Sequence, residues 1–128
     1  MSKRIIVTEE APNPMPSVFP QAVVANGLVF CSGSIAMDPK TCKIIDGDIK
    51  AHTHQIIKNI SAVLEAAGSS LDKIVKMNVF ITDFTNFGQL NEVYTQYFKG
   101  ADLPCRTCVA VKQLPFDTDI EIECIALL

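Results

Sequence analysis

The period of the apolar positions changes along this chain, and each change marks an element. Gln21-Ala22-Val23-Val24-Ala25 and Leu28-Val29-Phe30-Cys31-Ser32 flank Asn26-Gly27, the pair best suited to the positive φ angles of a two-residue hairpin turn. Ile5-Ile6-Val7 reads as a short strand ahead of it. Ala11-Pro12-Asn13-Pro14-Met15-Pro16 is extended, because its prolines forbid a helix. From Ile35 to Asp48 the chain reads as a loop, with turn residues at Asp38-Pro39 and Asp46-Gly47.

Helical spacing then takes over. Ile56, Ile57, Ile60, Val63, Leu64 and Ala67 share one face, and Gly68 closes the element. Ile74–Ile81 is a strand. A second helix presents Phe87, Leu90, Val93, Tyr94, Tyr97 and Phe98, opens near Asp83 or Thr85 and ends near Gly100. Two final strands, Leu103–Val111 and Ile120–Glu123 onward, are joined through Pro115. The order predicts an α+β domain: a mixed, mostly antiparallel sheet with two helices on one face. On the fourth strand, Val75, Met77, Val79 and Ile81 are expected to face one way and Ile74 and Phe80 the other. Both faces would then be apolar, and the face without helices is expected to meet another subunit. A long 35–49 loop folded over the sheet is the competing cover.

At 128 residues, 48% of them apolar and 20% charged, residues 1–128 suit one folded domain. A net charge of −3 provides no field for a phosphate backbone, so nucleic acid is an unlikely partner class. No stretch is apolar for the length of a membrane span. The opening Met1–Glu10 has neither a signal-peptide core nor an acid-poor transit pattern, so the cytosol is the expected address, with mitochondria the alternative. Five cysteines, an odd number, read as free thiols of a reducing compartment.

The chemistry gathers near Arg106. One guanidinium on a strand beside Asp119, Glu121 and Glu123 is poor core design unless the charges are paired or await a ligand. A small anion on Arg106, with an acid nearby to manage a proton, would account for it. A structural ion pair at a subunit interface is the competing assignment for Arg106, and a solvated strand face is the competing one for the acids. Cys105 and Cys108 have redox spacing, but on a strand they face opposite ways and lack the helix N-terminus that chemistry needs. His52 and His54 diverge at a helix start, with no second Cys/His cluster for zinc, and both are expected to be solvent-exposed.

Several motifs fall in one order: Ala11-Pro12, Gln21-Ala22-Val23, Ser32-Gly33, Asp38-Pro39-Lys40-Thr41, Val63–Gly68, Asp72–Lys76, Asn91–Tyr94, Pro104–Val109, Leu114-Pro115 and Ile120–Glu123. Over nearly its whole length the chain thereby resembles the RidA/YjgF-type reactive-intermediate deaminases. The resemblance implies a chorismate-mutase-like α+β domain that forms homotrimers with a pocket at each subunit interface. It also implies hydrolysis of 2-imino acids and enamines, such as 2-aminoacrylate and 2-iminopropionate from pyridoxal-phosphate-dependent dehydratases, to 2-keto acids and ammonia, without cofactor or metal. Carried over by residue, Arg106 clamps the substrate carboxylate through paired charge-assisted hydrogen bonds, and Glu121 handles the attacking water and the departing ammonia. Cys108 contacts the ligand mainly through its backbone N–H. Ser32 and Gly33 let the main chain come close, while Asn91 and Phe19 form walls.

The chain departs from that pattern where the family commonly has a pocket Tyr. Val18-Phe19-Pro20-Gln21 keeps the ring and loses the hydroxyl, and Ser34 stands where Gln is frequent. Two further readings compete: a non-catalytic ligand-binding trimer, and a translation-inhibiting endoribonuclease. The second lacks a basic stripe, a stacking platform and a His pair suited to RNA cleavage.

Overall fold

Asn26 and Gly27 both take positive φ, 51° and 77°, and turn β2 (Ala22–Ala25) back onto β3 (Leu28–Ser34), with Ala25 opposite Leu28. The computed structural model describes residues 2–128. Around this hairpin lie β1 (Arg4–Ile6), α1 (Ile49–Ala67), β4 (Ile74–Ile81), α2 (Phe87–Tyr97), β5 (Cys105–Ala110) and β6 (Ile120–Leu127). They form a six-stranded sheet in the order β1-β2-β3-β6-β4-β5, with only β4 and β5 parallel. α2 is the crossover that a parallel neighbour requires.

Each helix end has a local cause. Asp48 accepts from the Ala51 N–H (3.0 Å) and starts α1, and Gly68, at φ 92°, ends it. Asp83 caps a single 3₁₀ turn, Phe84–Asn86, that leads into α2. Ile56, Ile57, Ile60 and Leu64 from α1 and Leu90 and Tyr94 from α2 meet Val29, Met77, Val79, Ile120 and Ile122 of the sheet in one buried core. Fully burying each such aliphatic chain is worth about 1.5–3 kcal/mol. The expected α+β class, with both helices on one face, is what the structure contains. Among the described residues no helix is long and apolar enough to cross a membrane.

Two expectations about strands fail. The first concerns β4. Its pairing with β6 slips between Ile74 and Lys76, so Ile74 is buried and Val75 exposed, the reverse of strict alternation. One extra residue in a strand flips every side chain on one side of it. The second concerns β5 and β6, which were expected side by side. β4 lies between them, because the Leu103–Ala110 segment returns parallel to β4 at the sheet edge. Arg106 therefore does not sit beside the carboxylates of β6.

The two non-helical segments are held by buried side-chain amides. Gln21 accepts from Thr8 N–H (2.7 Å), and its Nε2 donates to the carbonyls of Thr8 (3.0 Å), Ala11 (2.9 Å) and Pro12 (2.9 Å). Asn59 of α1 donates to Met37 O at 2.9 Å, which holds the buried Ile35–Met37 stretch against the helix. The 35–48 loop thus packs on α1, and Phe30, Val75 and Val109 remain exposed. Replacing Gln21 by Ala leaves the buried Ala11 carbonyl without its donor, and should cost about 1–3 kcal/mol in chemical denaturation. Amide exchange should rise selectively over residues 8–19; a loss of stability with uniform exchange would contradict the clamp.

Candidate active site

The residues singled out from the sequence fall into two groups on different sides of the sheet. Glu121 alternates with Ile120 and Ile122, both fully buried on the helix side, so its carboxylate projects from the open side. There it crosses Gly33 so closely that a Cβ on Gly33 would collide with Glu121 Oε2 and lie 2.8 Å from Cδ. Gly33 is required by the acid that lies over it. Glu121, Ser32, Gly33 and Phe19 border one cleft together with Pro12, Met15, Pro115 and Phe116. The Ser32 hydroxyl is committed to Pro20 O at 2.8 Å.

Burial pushes the Glu121 carboxyl above the ordinary glutamate range, and the negative charge of Glu123, two residues along the same face, pushes the same way. An upward shift of this kind favours an acid in proton transfer.

Arg106 lies on the helix side, opposite buried Met77. Its Nη1 donates to Asn91 Oδ1 at 2.7 Å, and the guanidinium carbon stands 4.6 Å from the Tyr94 ring centroid and 5.5 Å from that of Phe87. These distances suit cation–π attraction. Among the described residues no carboxylate lies within 4.0 Å of it, since the ion pairs there are Lys50–Glu92 and His52–Asp119. Within the chain the guanidinium is thus oriented with its charge uncompensated.

Asn91 borders the same cleft as Arg106, and Tyr94 joins it from the next turn of α2. The Tyr94 hydroxyl is buried without a hydrogen-bond partner. Burial raises the Tyr94 phenol, while the neighbouring Arg106 charge partly opposes the shift. Asn91 and Tyr94 are three apart, a spacing that puts two side chains on one helix face. That signal was legible, but Tyr94 had been assigned to the core alone. Cys108 follows Arg106 on the same side of β5 and is half-buried. Burial raises its thiol, with Arg106 opposing, so it is no activated nucleophile.

All five cysteines are free, and Cys105 is exposed while Cys108 packs toward the core, as the strand argument against a redox motif requires. The histidines were misjudged. His52 is buried, with Nδ1 2.7 Å from Asp119 Oδ1 and Nε2 2.9 Å from Ile45 O, and His54 is half-buried with Nδ1 2.8 Å from the Tyr97 hydroxyl. For His52 the cause is the docked 35–48 loop, which closes over the first turn of α1; for His54 it is Tyr97 of α2. Phe116 was also missed; its only trace in the sequence is the turn proline before it.

Comparison with known proteins adds the following. The family model described as Endoribonuclease L-PSP matches residues 8–128. A RutC family protein of Pyrococcus horikoshii is 47% identical over 124 residues, 97% of each chain. Among solved structures, the Rid-family protein YyfA from Yersinia pestis superposes with a TM-score of 0.94 at 42% identity, covering 99% of this chain and 100% of that one. TdcF from E. coli, solved with bound serine, gives 0.87 at 40% identity and 98% coverage of both.

The raised Glu121 carboxyl makes a prediction with a definite sign. Below the ordinary glutamate value of about 4.3, folded and unfolded chains both hold this proton, and Glu121 exerts no pH-dependent effect. As pH rises toward the raised folded value, the unfolded chain loses the proton first and stability falls. Glu121→Gln should therefore raise Tm at neutral pH, and the gain should vanish at acid pH. Equal shifts at both would contradict the assignment.

Proposed function

Because this chain belongs to the Endoribonuclease L-PSP family, that of the RidA/YjgF, Rid and RutC proteins, we propose that it hydrolyses reactive 2-imino acids and their enamine tautomers to 2-keto acids and ammonia. The observation that carries this reading is the uncompensated, pre-oriented Arg106. Two parallel charge-assisted hydrogen bonds from its planar fork suit a carboxylate, each worth roughly 1.5–3 kcal/mol.

The site is shared between neighbouring copies in a homotrimer. Arg106, with Asn91 and the backbone of Cys108, comes from one copy; Glu121, with Phe19, Ser32 and Gly33, comes from the next. Support comes from the two faces, since one small molecule cannot touch both groups of a single chain. Glu121, ionised, takes a proton from water as its oxygen bonds to the imine carbon. It returns that proton to the nitrogen to give the carbinolamine. It then takes the carbinol O–H proton and passes it to the nitrogen as the C–N bond breaks and the C=O bond forms, which releases ammonia and the keto acid. The substrate stream is that of pyridoxal-phosphate-dependent dehydratases, and the compartment is the cytosol. The net charge of −3 speaks against an RNA substrate.

The test is a serine or threonine dehydratase assay with trapping of the imine, with and without this protein. Arg106→Ala should lower kcat/KM at least about a hundredfold, the equivalent of two lost bonds to a charge, and Arg106→Lys should not restore it. Glu121→Gln should lower kcat by about 10²–10⁴, whereas a non-catalytic binder would show no kcat to lose. Refolding Arg106→Ala together with Glu121→Gln should recover part of the activity through mixed interfaces. A mixture as inactive as its components would rule out the shared site.

A further inference from the structure

Phe116 is placed in a way that its own stability does not explain. It sits at φ 59°, ψ 23°, and Asp117 follows at φ 53°. Two successive non-glycine residues in the left-handed region are uncommon, and a bulky aromatic there is an outlier. The turn is nonetheless fixed. Asp117 N–H donates to Leu114 O (3.1 Å), Thr118 N–H to Pro115 O (3.2 Å), and Gln113 Nε2 to Asp117 Oδ1 (2.7 Å). Within the single chain Phe116 is 66% exposed, so little burial there offsets the conformation. What it gains is a position on the wall of the Glu121 cleft.

That cleft has a volume of about 140 Å³, close to the roughly 150 Å³ of an apolar protein cavity known to take up benzene. Its wall is mainly apolar, with Phe19, Phe116, Pro12, Pro115 and Met15 among the residues that form it. Apart from Glu121 and Ser34, the polar side chains that also border it are occupied. The Gln21 amide, the Asn59 amide and the Ser32 hydroxyl all serve backbone carbonyls. A hydroxyl or ammonium group held against the apolar wall, rather than against Glu121 or Ser34, would lose water with few partners to replace it, which is costly. An apolar ring or branched chain would lose nothing and gain contact.

We propose that this cleft is a side-chain subsite that selects 2-imino acids bearing a large apolar group, a benzyl or isobutyl chain over a methyl, and that Phe116 sets the preference. The proposal rests on the deaminase reading above for which end of the substrate lies where. Arg106 of one copy holds the carboxylate, Glu121 faces the imine carbon, and the side chain extends between the two phenylalanine rings.

Binding of keto-acid products tests it without relying on turnover. In isothermal titration of the assembled full chain, phenylpyruvate should bind at least about tenfold more tightly than pyruvate, the discrimination typical of added apolar groups in such a site. Phe116→Gly suits the positive φ and should fold normally by circular dichroism, and in it the ratio should fall toward one. Equal affinities in the unaltered protein, or a ratio that survives Phe116→Gly, overturn the subsite even if imines are hydrolysed. A ratio that behaves as stated in a protein that hydrolyses no imine upholds the subsite and removes the deaminase reading alone.

Discussion

A side chain on a strand has two directions open to it, and that restriction governs how this protein distributes its charges. Arg106 is in register with Met77 and Glu121 with Phe80, so one points to the helices and the other away from them. Two inter-strand spacings separate them across the sheet, roughly 9.5 Å, and three residues of rise separate them along it, roughly 10 Å. Neither charge can answer the other. Their electrostatic surroundings follow from this. Arg106 is held by an amide oxygen and two ring faces, while Glu121 senses burial and a second acid and moves upward. Had the two faced each other, the carboxyl would have moved down.

The elements were legible because each has a local cause. Asn26-Gly27 dictates its hairpin, the isoleucine spacing dictates α1, and Gly68 ends it where the backbone turns left-handed. Strand order was not legible in the same way. Nothing local to residues 103–128 says that β4 will lie between β5 and β6, because that depends on α2 carrying the chain across the sheet. The slip at Ile74–Lys76 is likewise set by a partner strand distant in sequence. His52 was misjudged for a related reason: its burial comes from a loop whose docking depends on Asn59.

For the candidate site, the motifs pointed to residues that the fold sets along two separate clefts, and the expected neighbourhood of Arg106 and the β6 carboxylates failed. Arg106, Asn91, Glu121, Gly33 and Phe19 all occupy clefts or their walls. The reason for Gly33 is not visible in sequence, since it lies in the carboxylate that crosses it. Nor is the work of Gln21, which read as a strand residue and instead ties three backbone carbonyls of the preceding segment together. Two buried amides, Gln21 and Asn59, thus give shape to irregular chain on either side of the cleft. A wall built this way can be as rigid as a strand while carrying whatever side chains the chemistry asks for.

β6 lies between β3 and β4, at the middle of the sheet, although it is last in chain order. Until residues 120–127 are available, the hairpin half and the β4–α2–β5 half have no strand to join them. On the ribosome the nascent chain would then wait with two open edges and an exposed apolar interior, the kind of species that aggregates and that chaperones shield. Synthesis of the final strand, more than any earlier event, would release the molecule into its folded form.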